Sequence, residues 1–118
     1  MDHSKQTMLM AVCEMKESSV EVLKMVLKYQ PRVNLQDSMG RTALHLACRV
    51  GRAEYVKLLV EVKGIDVNRR TVGGETPLMA AAQSGNIFTV GECLNNNFNP
   101  FLENSLHMTA RDYAAYFP

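Results

Sequence analysis

Residues 37–60 read D-S-M-G-R-T-A-L-H-L-A-C-R-V-G-R-A-E-Y-V-K-L-L-V, and residues 71–94 read T-V-G-G-E-T-P-L-M-A-A-A-Q-S-G-N-I-F-T-V-G-E-C-L. Laid over each other at an offset of 34, Gly40, Thr42, Leu44, Ala47, Gly51 and Val56 fall on Gly74, Thr76, Leu78, Ala81, Gly85 and Val90, and Asn34 falls on Asn68. Self-similarity at a fixed period of this size marks a stacked repeat, whose single unit cannot bury its own apolar face. The unit reads as helical. Thr42 and Thr76 stand where an N-cap hydroxyl accepts from a free first-turn N–H. Pro77 follows at the first helical position, where its missing N–H costs nothing. Gly51 and Gly85 can take the left-handed conformation that stops a first helix. Leu44 and Ala47, like Leu78 and Ala81, fall three apart on one face, and Val56, Leu59 and Val60 give a second helix its inward stripe. Small residues at Ala47, Cys48, Ala81 and Ala82 let neighbouring repeats approach closely.

Outward from this centre the pattern weakens but persists. Val22 to Leu27 reads as an earlier second helix, and Val33 to Asp37 as its extended exit. Thr7, Leu9 and Cys13 stand 35 before Thr42, Leu44 and Cys48, so the Lys16–Ser19 turn carries one extra residue. Asn97 stands just past the second helix of the third unit, and Asn tolerates the left-handed conformation. Thr109 to Ala114 opens a further unit 33 after Thr76, without the Gly before its Thr and with Arg111 in the place of Leu78. The T-x-L-H-x-A at Thr42–Ala47, the T-P-L at Thr76–Leu78, the Gly turns and the L-L at Leu58–Leu59 together resemble the ankyrin repeat. That resemblance implies an all-α solenoid of helix-turn-helix units with hairpin-like tips, about three full repeats plus a C-terminal half-repeat. We expect one domain over 1–118, with repeats at 1–36, 37–70 and 71–103 and a partial cap at 104–118.

Composition narrows the function. Of 118 residues, 47% are apolar and 21% charged, the balance of a globular domain, and the net charge of +1 gives no electrostatic case for nucleic acid or a membrane surface. No apolar run follows a basic start, and none approaches the roughly 18 residues of a membrane-spanning helix. Three widely spaced cysteines, an odd number, predict no disulfide framework and a reducing, intracellular setting, cytoplasmic or nuclear.

No residue set points to catalysis, a metal or a cofactor. Cys13 and Cys48 share a register position with Ala82, and Cys93 replaces Leu59, so all three cysteines read as buried packing residues. The histidines, His3, His45 and His107, show no metal-ligand spacing. The resemblance implies for His45 a hydrogen bond between adjacent repeats, which Met79 cannot repeat. Gly73-Gly74 lacks the Lys-Ser/Thr of a phosphate loop.

The resemblance further implies a non-enzymatic module that binds another protein through its tips and the concave face of its first helices. By register, the tip residues are Ser38, Met39 and Arg41, then Arg70, Thr71, Val72 and Glu75. The first-helix residues are Glu14 and Met15, then Leu46, Arg49 and Val50, then Ala80, Gln83 and Ser84. Arg41, Arg49, Arg52, Arg69 and Arg70 read either as a site for a partner with an acidic surface or as a solvated face countered by Glu54, Glu61 and Asp66, and Met39, Leu46 and Val50 either as an exposed apolar strip or with Leu46 packed against the neighbouring helix. Tyr113, Tyr116 and Phe117 are expected to cap the stack over Val90 and Leu94, leaving a monomer; left open, that edge would serve a partner or a second copy. A structural subunit of a larger assembly and a nucleic-acid-associated regulator using the arginines are the alternative functions.

Overall fold

In a computed structural model, residues 7–116 are described, apart from the Tyr116 side chain. All the helices but one begin where a short polar side chain can satisfy an orphan N–H. Thr7 caps α1 (Met8–Glu14), Ser19 caps α2 (Val20–Lys28) and Thr42 caps α3 (Ala43–Val50). Thr76 caps α5 (Pro77–Ser84), and Asn86 caps α6 (Ile87–Asn95) by accepting from both Phe88 and Thr89 N–H. Thr109 and Asp112 exchange bonds at the start of α7 (Ala110–Tyr116). Only α4 (Ala53–Val60) lacks a side-chain cap; Arg52 at its head is turned elsewhere. Gly51 and Gly85 end α3 and α5 at φ 84 and 74. Among the described residues every element is helical, and the chain is an all-α solenoid of three helix pairs followed by α7.

The helices form two layers. First helices stack in the order α1, α3, α5, α7, and second helices in the order α2, α4, α6. The middle first helices have neighbours on both sides, so Ala43 to Cys48 and Pro77 to Ala82 are buried without a break. A helix of α5's alanine content can sit this close to its neighbours because Ala80 and Ala81 add almost no bulk. Second helices keep one wet face, and α2 buries only Leu23. The largest fully buried side chain is Tyr55 on α4, which the repeat pattern does not single out.

Register between repeats is held by polar pairs at matching positions. Arg52 Nη1 donates to Lys16 O (2.8 Å) and Ser18 O (3.0 Å), with its guanidinium 4.0 Å from the Tyr55 ring centroid. Asn86, 34 residues on, donates in the same way to Gly51 O (3.0 Å). At the exits, Asn34 Oδ1 accepts from Asp66 N–H (2.7 Å) and Asn68 Oδ1 from Asn99 N–H (2.9 Å). The third exit turns on Asn97 at φ 69, as its position in the repeat requires.

Two expectations need correction. Ala80, expected on the binding face, is instead buried at 1% exposure, its helix packed between α3 and α7. Leu46 is 2% exposed, because the α3 face that carries it meets the neighbouring first helices; the apolar strip reduces to Met39 and half-buried Val50. Of the expected cap, Tyr113 alone has a described side chain. Tyr113 is buried and α7 lies on α5, but Leu94 stays 49% exposed and Val90 half-buried. The Tyr116 side chain and Phe117 lie outside the described residues.

Candidate interaction surface

The tips are built by short polar hairpins. Asp37 Oδ1 accepts from Met39 and Arg41 N–H, and the chain closes with Asp37 N–H on Arg41 O at 2.9 Å. Thr71 builds the next tip, donating its N–H to Glu75 O and accepting from Glu75 N–H; Asn104 builds the third, accepting from Leu106 and Met108. Adjacent tips are joined through the main chain. Val72 N–H donates to Met39 O (3.1 Å), and Ser105 N–H to Gly73 O (2.9 Å). Gly40 and Gly74 turn the first two at φ 81 and 82. A Cβ on Gly40 would lie 2.7 Å from Val72 N, so glycine is required there by space as well as by angle. His107 takes this place in the third tip at φ 64.

Behind the tips, His45 ties repeat to repeat. Its Nε2 donates to Glu75 O (2.8 Å), which fixes Nδ1 as acceptor for Thr42 N–H (3.1 Å). Burial holds the ring below the ordinary histidine value of 6.5, with the Glu75 carbonyl pulling the other way. Met79 and Asp112 hold the same helix position: Met79 Sδ accepts from Thr76 N–H at 3.4 Å and Asp112 Oδ2 from Thr109 N–H at 2.9 Å.

Seven of the expected binding residues line one groove of about 490 Å³: Ser38, Met39, Arg41, Arg49, Thr71, Val72 and Glu75. A second groove shares Arg41 and Arg49 and adds Leu46 and Val50, with Glu14 and Lys16 from the first repeat. Lys16 carries no signal in the repeat pattern, since it sits in the turn with the extra residue. Gln83, Ser84 and Arg70 line neither groove. Ser84 is occupied locally, donating to Ala81 O (2.6 Å) and accepting from Asn86 N–H.

The five arginines do not act as one patch. Arg41 pairs with Asp37 at 2.9 Å, Arg69 with Asp66 at 2.9 Å, and Arg52 clasps the first repeat. The Asp37 carboxyl feels burial, which raises its pKa, but hydrogen bonds from Arg41 and Met39 and the Arg41 charge outweigh it and hold the group below the usual range. Arg49 and Arg70 are exposed, and among the described residues their guanidinium groups make no ion pair or hydrogen bond; the Arg70 main-chain O accepts from Gln36 Nε2 (2.9 Å). Met39 and Val72 remain 60% and 80% exposed on adjacent tips. Glu75 lies beside Tyr113, whose phenol is pushed up by burial first and by Glu75 as well, with Asn104 opposing.

The cysteines are inert by placement. All three are buried, Cys48 and Cys93 lie with their sulfurs 3.6 Å apart, and burial pushes the Cys13 thiol up to about 12. Among the described residues no group of acidic, His or Cys side chains could hold a metal ion, and no helix is long and apolar enough to cross a membrane.

Comparison with known proteins agrees with this geometry. The family model described as ankyrin repeats (3 copies) matches residues 1–71, and the model described as ankyrin repeat matches residues 73–105. The chain is 46% identical to the human photoreceptor ankyrin repeat protein over 59 residues, which is 50% of this chain and 13% of that protein. It is 30% identical to neurogenic locus notch homolog protein 1 of Xenopus laevis over 95 residues, 76% of this chain and 4% of that protein. It is 34% identical to the tyrosine-protein kinase Shark of Drosophila melanogaster over 77 residues, 65% of this chain and 8% of that protein. The chain thus spans a small part of each of these relatives.

Proposed function

Because the chain belongs to the ankyrin-repeat family, whose repeats bind other proteins, we propose that it is an adaptor, scaffold or stoichiometric inhibitor that grips a partner between its first two full tips and performs no chemistry of its own. The observation that carries this reading is the placement of Met39 and Val72. Two large apolar side chains stand exposed on tips joined by a main-chain bond, with the unpaired guanidinium of Arg49 lining the same groove. Exposed apolar side chains beside a free arginine are what an interface anchor looks like. The partner chemistry that fits is an apolar side chain flanked by a carboxylate. Arg41 belongs to the scaffold, so the acidic contact falls to Arg49. With three of the five arginines engaged by the scaffold, phosphate tracking along this face has little support. The odd number of widely spaced cysteines supports a setting inside the cell.

The test compares proteins retained from lysate by the wild type and by a Met39→Ser/Val72→Ser/Arg49→Glu triple variant, after equal unfolding midpoints have shown that both fold. A protein held by the wild type and lost by the variant supports the reading. Equal recovery by both moves the site away from these tips.

A further inference from the structure

The tips turn on a left-handed residue at the same place: Gly40, Gly74 and His107, at φ 81, 82 and 64. The residues just before them are Met39, Gly73 and Leu106. The bonds that join the tips, Val72 N–H to Met39 O and Ser105 N–H to Gly73 O, keep these residues in one register. Met39 and Leu106 are large, apolar and 60% and 76% exposed, while the place between them has no side chain at all. Neither angle nor space accounts for that glycine. Gly73 lies outside the left-handed region, unlike Gly74, and a Cβ on it would meet no atom within 4 Å. Met39 and Leu106 show that the turn admits a side chain at this place. A side chain would also favour the fold, because glycine adds freedom to the unfolded chain. What the glycine leaves is room: with Met39, Val72 and Arg49 it lines the groove of about 490 Å³.

We propose that Gly73 opens a socket in this groove for one aromatic side chain of a partner protein, with a carboxylate beside it on Arg49. The socket presupposes that the tip surface is where a partner binds, and adds which side chain enters and that size selects it. An aromatic ring suits the walls. The Met39 thioether makes favourable contacts with ring edges, and the Arg49 guanidinium with ring faces. Val72 adds a stiff, β-branched wall. The charges in the groove set the flanking group. Arg41 is answered by Asp37 at 2.9 Å, and Glu75 lies beside Tyr113. The Arg49 guanidinium, exposed and without an ion pair among the described residues, is the charge left for the partner to meet, and a carboxylate satisfies it in fork geometry. The floor and walls come from residues 39–73, away from both ends of the stack.

The probe is a phage-displayed library of disulfide-cyclised random heptapeptides, panned on the intact chain, with the enriched peptides synthesised and measured by fluorescence anisotropy. Enriched sequences should carry an aromatic residue next to Asp or Glu. Changing that aromatic residue to Ala should weaken binding about tenfold or more, and so should Gly73→Leu and Gly73→Met, which install the side chains that the neighbouring tips carry. Gly73→Ala should weaken it less. Both large variants should hold or raise the thermal midpoint, and a clear fall in both would overturn the socket, since the glycine would then have a structural duty. Arg49→Glu should weaken the same peptides and favour versions with Lys in place of the acid. Peptides lost by Met39→Ser/Val72→Ser but bound by Gly73→Leu as tightly as by the wild type would overturn the socket and leave the tip surface standing. Indifference to all of these variants would overturn both. A library that yields no saturable binder below about 1 mM would overturn the socket. So would a concentration-dependent dimer mass abolished by Gly73→Leu and by Phe101→Ser, in favour of a second copy's Phe101, which is 83% exposed.

Discussion

His45 shows how much one side chain can hold. It is 2% exposed, donates to the next repeat through Nε2 and accepts from Thr42 through Nδ1. Protonation would turn that acceptor into a donor facing an N–H. Since burial holds the folded ring below 6.5, the unfolded chain binds the extra proton first. Stability should therefore be level above about pH 6.5 and fall as pH drops below it. Asp37 and Arg41 act on the ring in opposite senses. Urea unfolding at pH 7.5 and 5.5 should show the loss in the wild type and a smaller one in His45→Gln, which should itself cost about 1–3 kcal/mol at pH 7.5. An equal pH response in both would remove His45 from the explanation. Thr89 is the opposite case. It replaces Tyr55 in register, yet its buried Oγ1 has no hydrogen-bond partner among the described residues, whereas the Tyr55 hydroxyl donates to Ser19 O at 2.9 Å. Thr89→Val should hold or raise stability by up to about 1 kcal/mol, read from the urea midpoint, because it removes an unsatisfied hydroxyl. A clear loss would mean that the hydroxyl has a partner in solution.

At the scale of elements, the tips and caps were the most legible parts of the sequence. Thr42, Thr76, Pro77, Gly51 and Gly85 each have a local physical reason to stand where they do, and all five do what that reason requires. Exposure was harder to read, because it depends on what lies alongside. Leu46 looks like a surface residue within its own helix and is covered only once α3 has neighbours. Tyr55 reads as one more second-helix aromatic until its hydroxyl meets the turn of the preceding repeat. The arginines counted as a cluster in sequence separate into three scaffold pairs and two free cations. The left-handed glycines give a direct test. Gly85→Ala meets no atom within 4 Å and should cost only the left-handed strain, about 1 kcal/mol. Gly40→Ala must also push Val72 N away from 2.7 Å and should cost clearly more in the same denaturant titration. Equal costs would show that the second tip yields easily.

For the whole molecule, stability should be graded along the stack, since each repeat is held by its neighbours. α3 and α5 are covered on both sides, while α2 buries only Leu23 and α6 only Thr89 and Cys93. Native-state hydrogen exchange should show the strongest protection in α3 and α5 and the weakest in α2. Uniform protection would indicate a single cooperative unit without weaker ends. The order of the repeats was plain from their period. The one-sided cover over the last of them was not, because no local pattern says how far α7 reaches across α6. The joints between tips have a different consequence. Met39 O with Val72 N–H, and Gly73 O with Ser105 N–H, are main-chain bonds that depend on no side chain. Substitutions at Ser38, Met39, Val72 or Ser105 can therefore accumulate without loosening the stack. Over generations this face can drift from one binding preference to another while the fold beneath it is inherited unchanged.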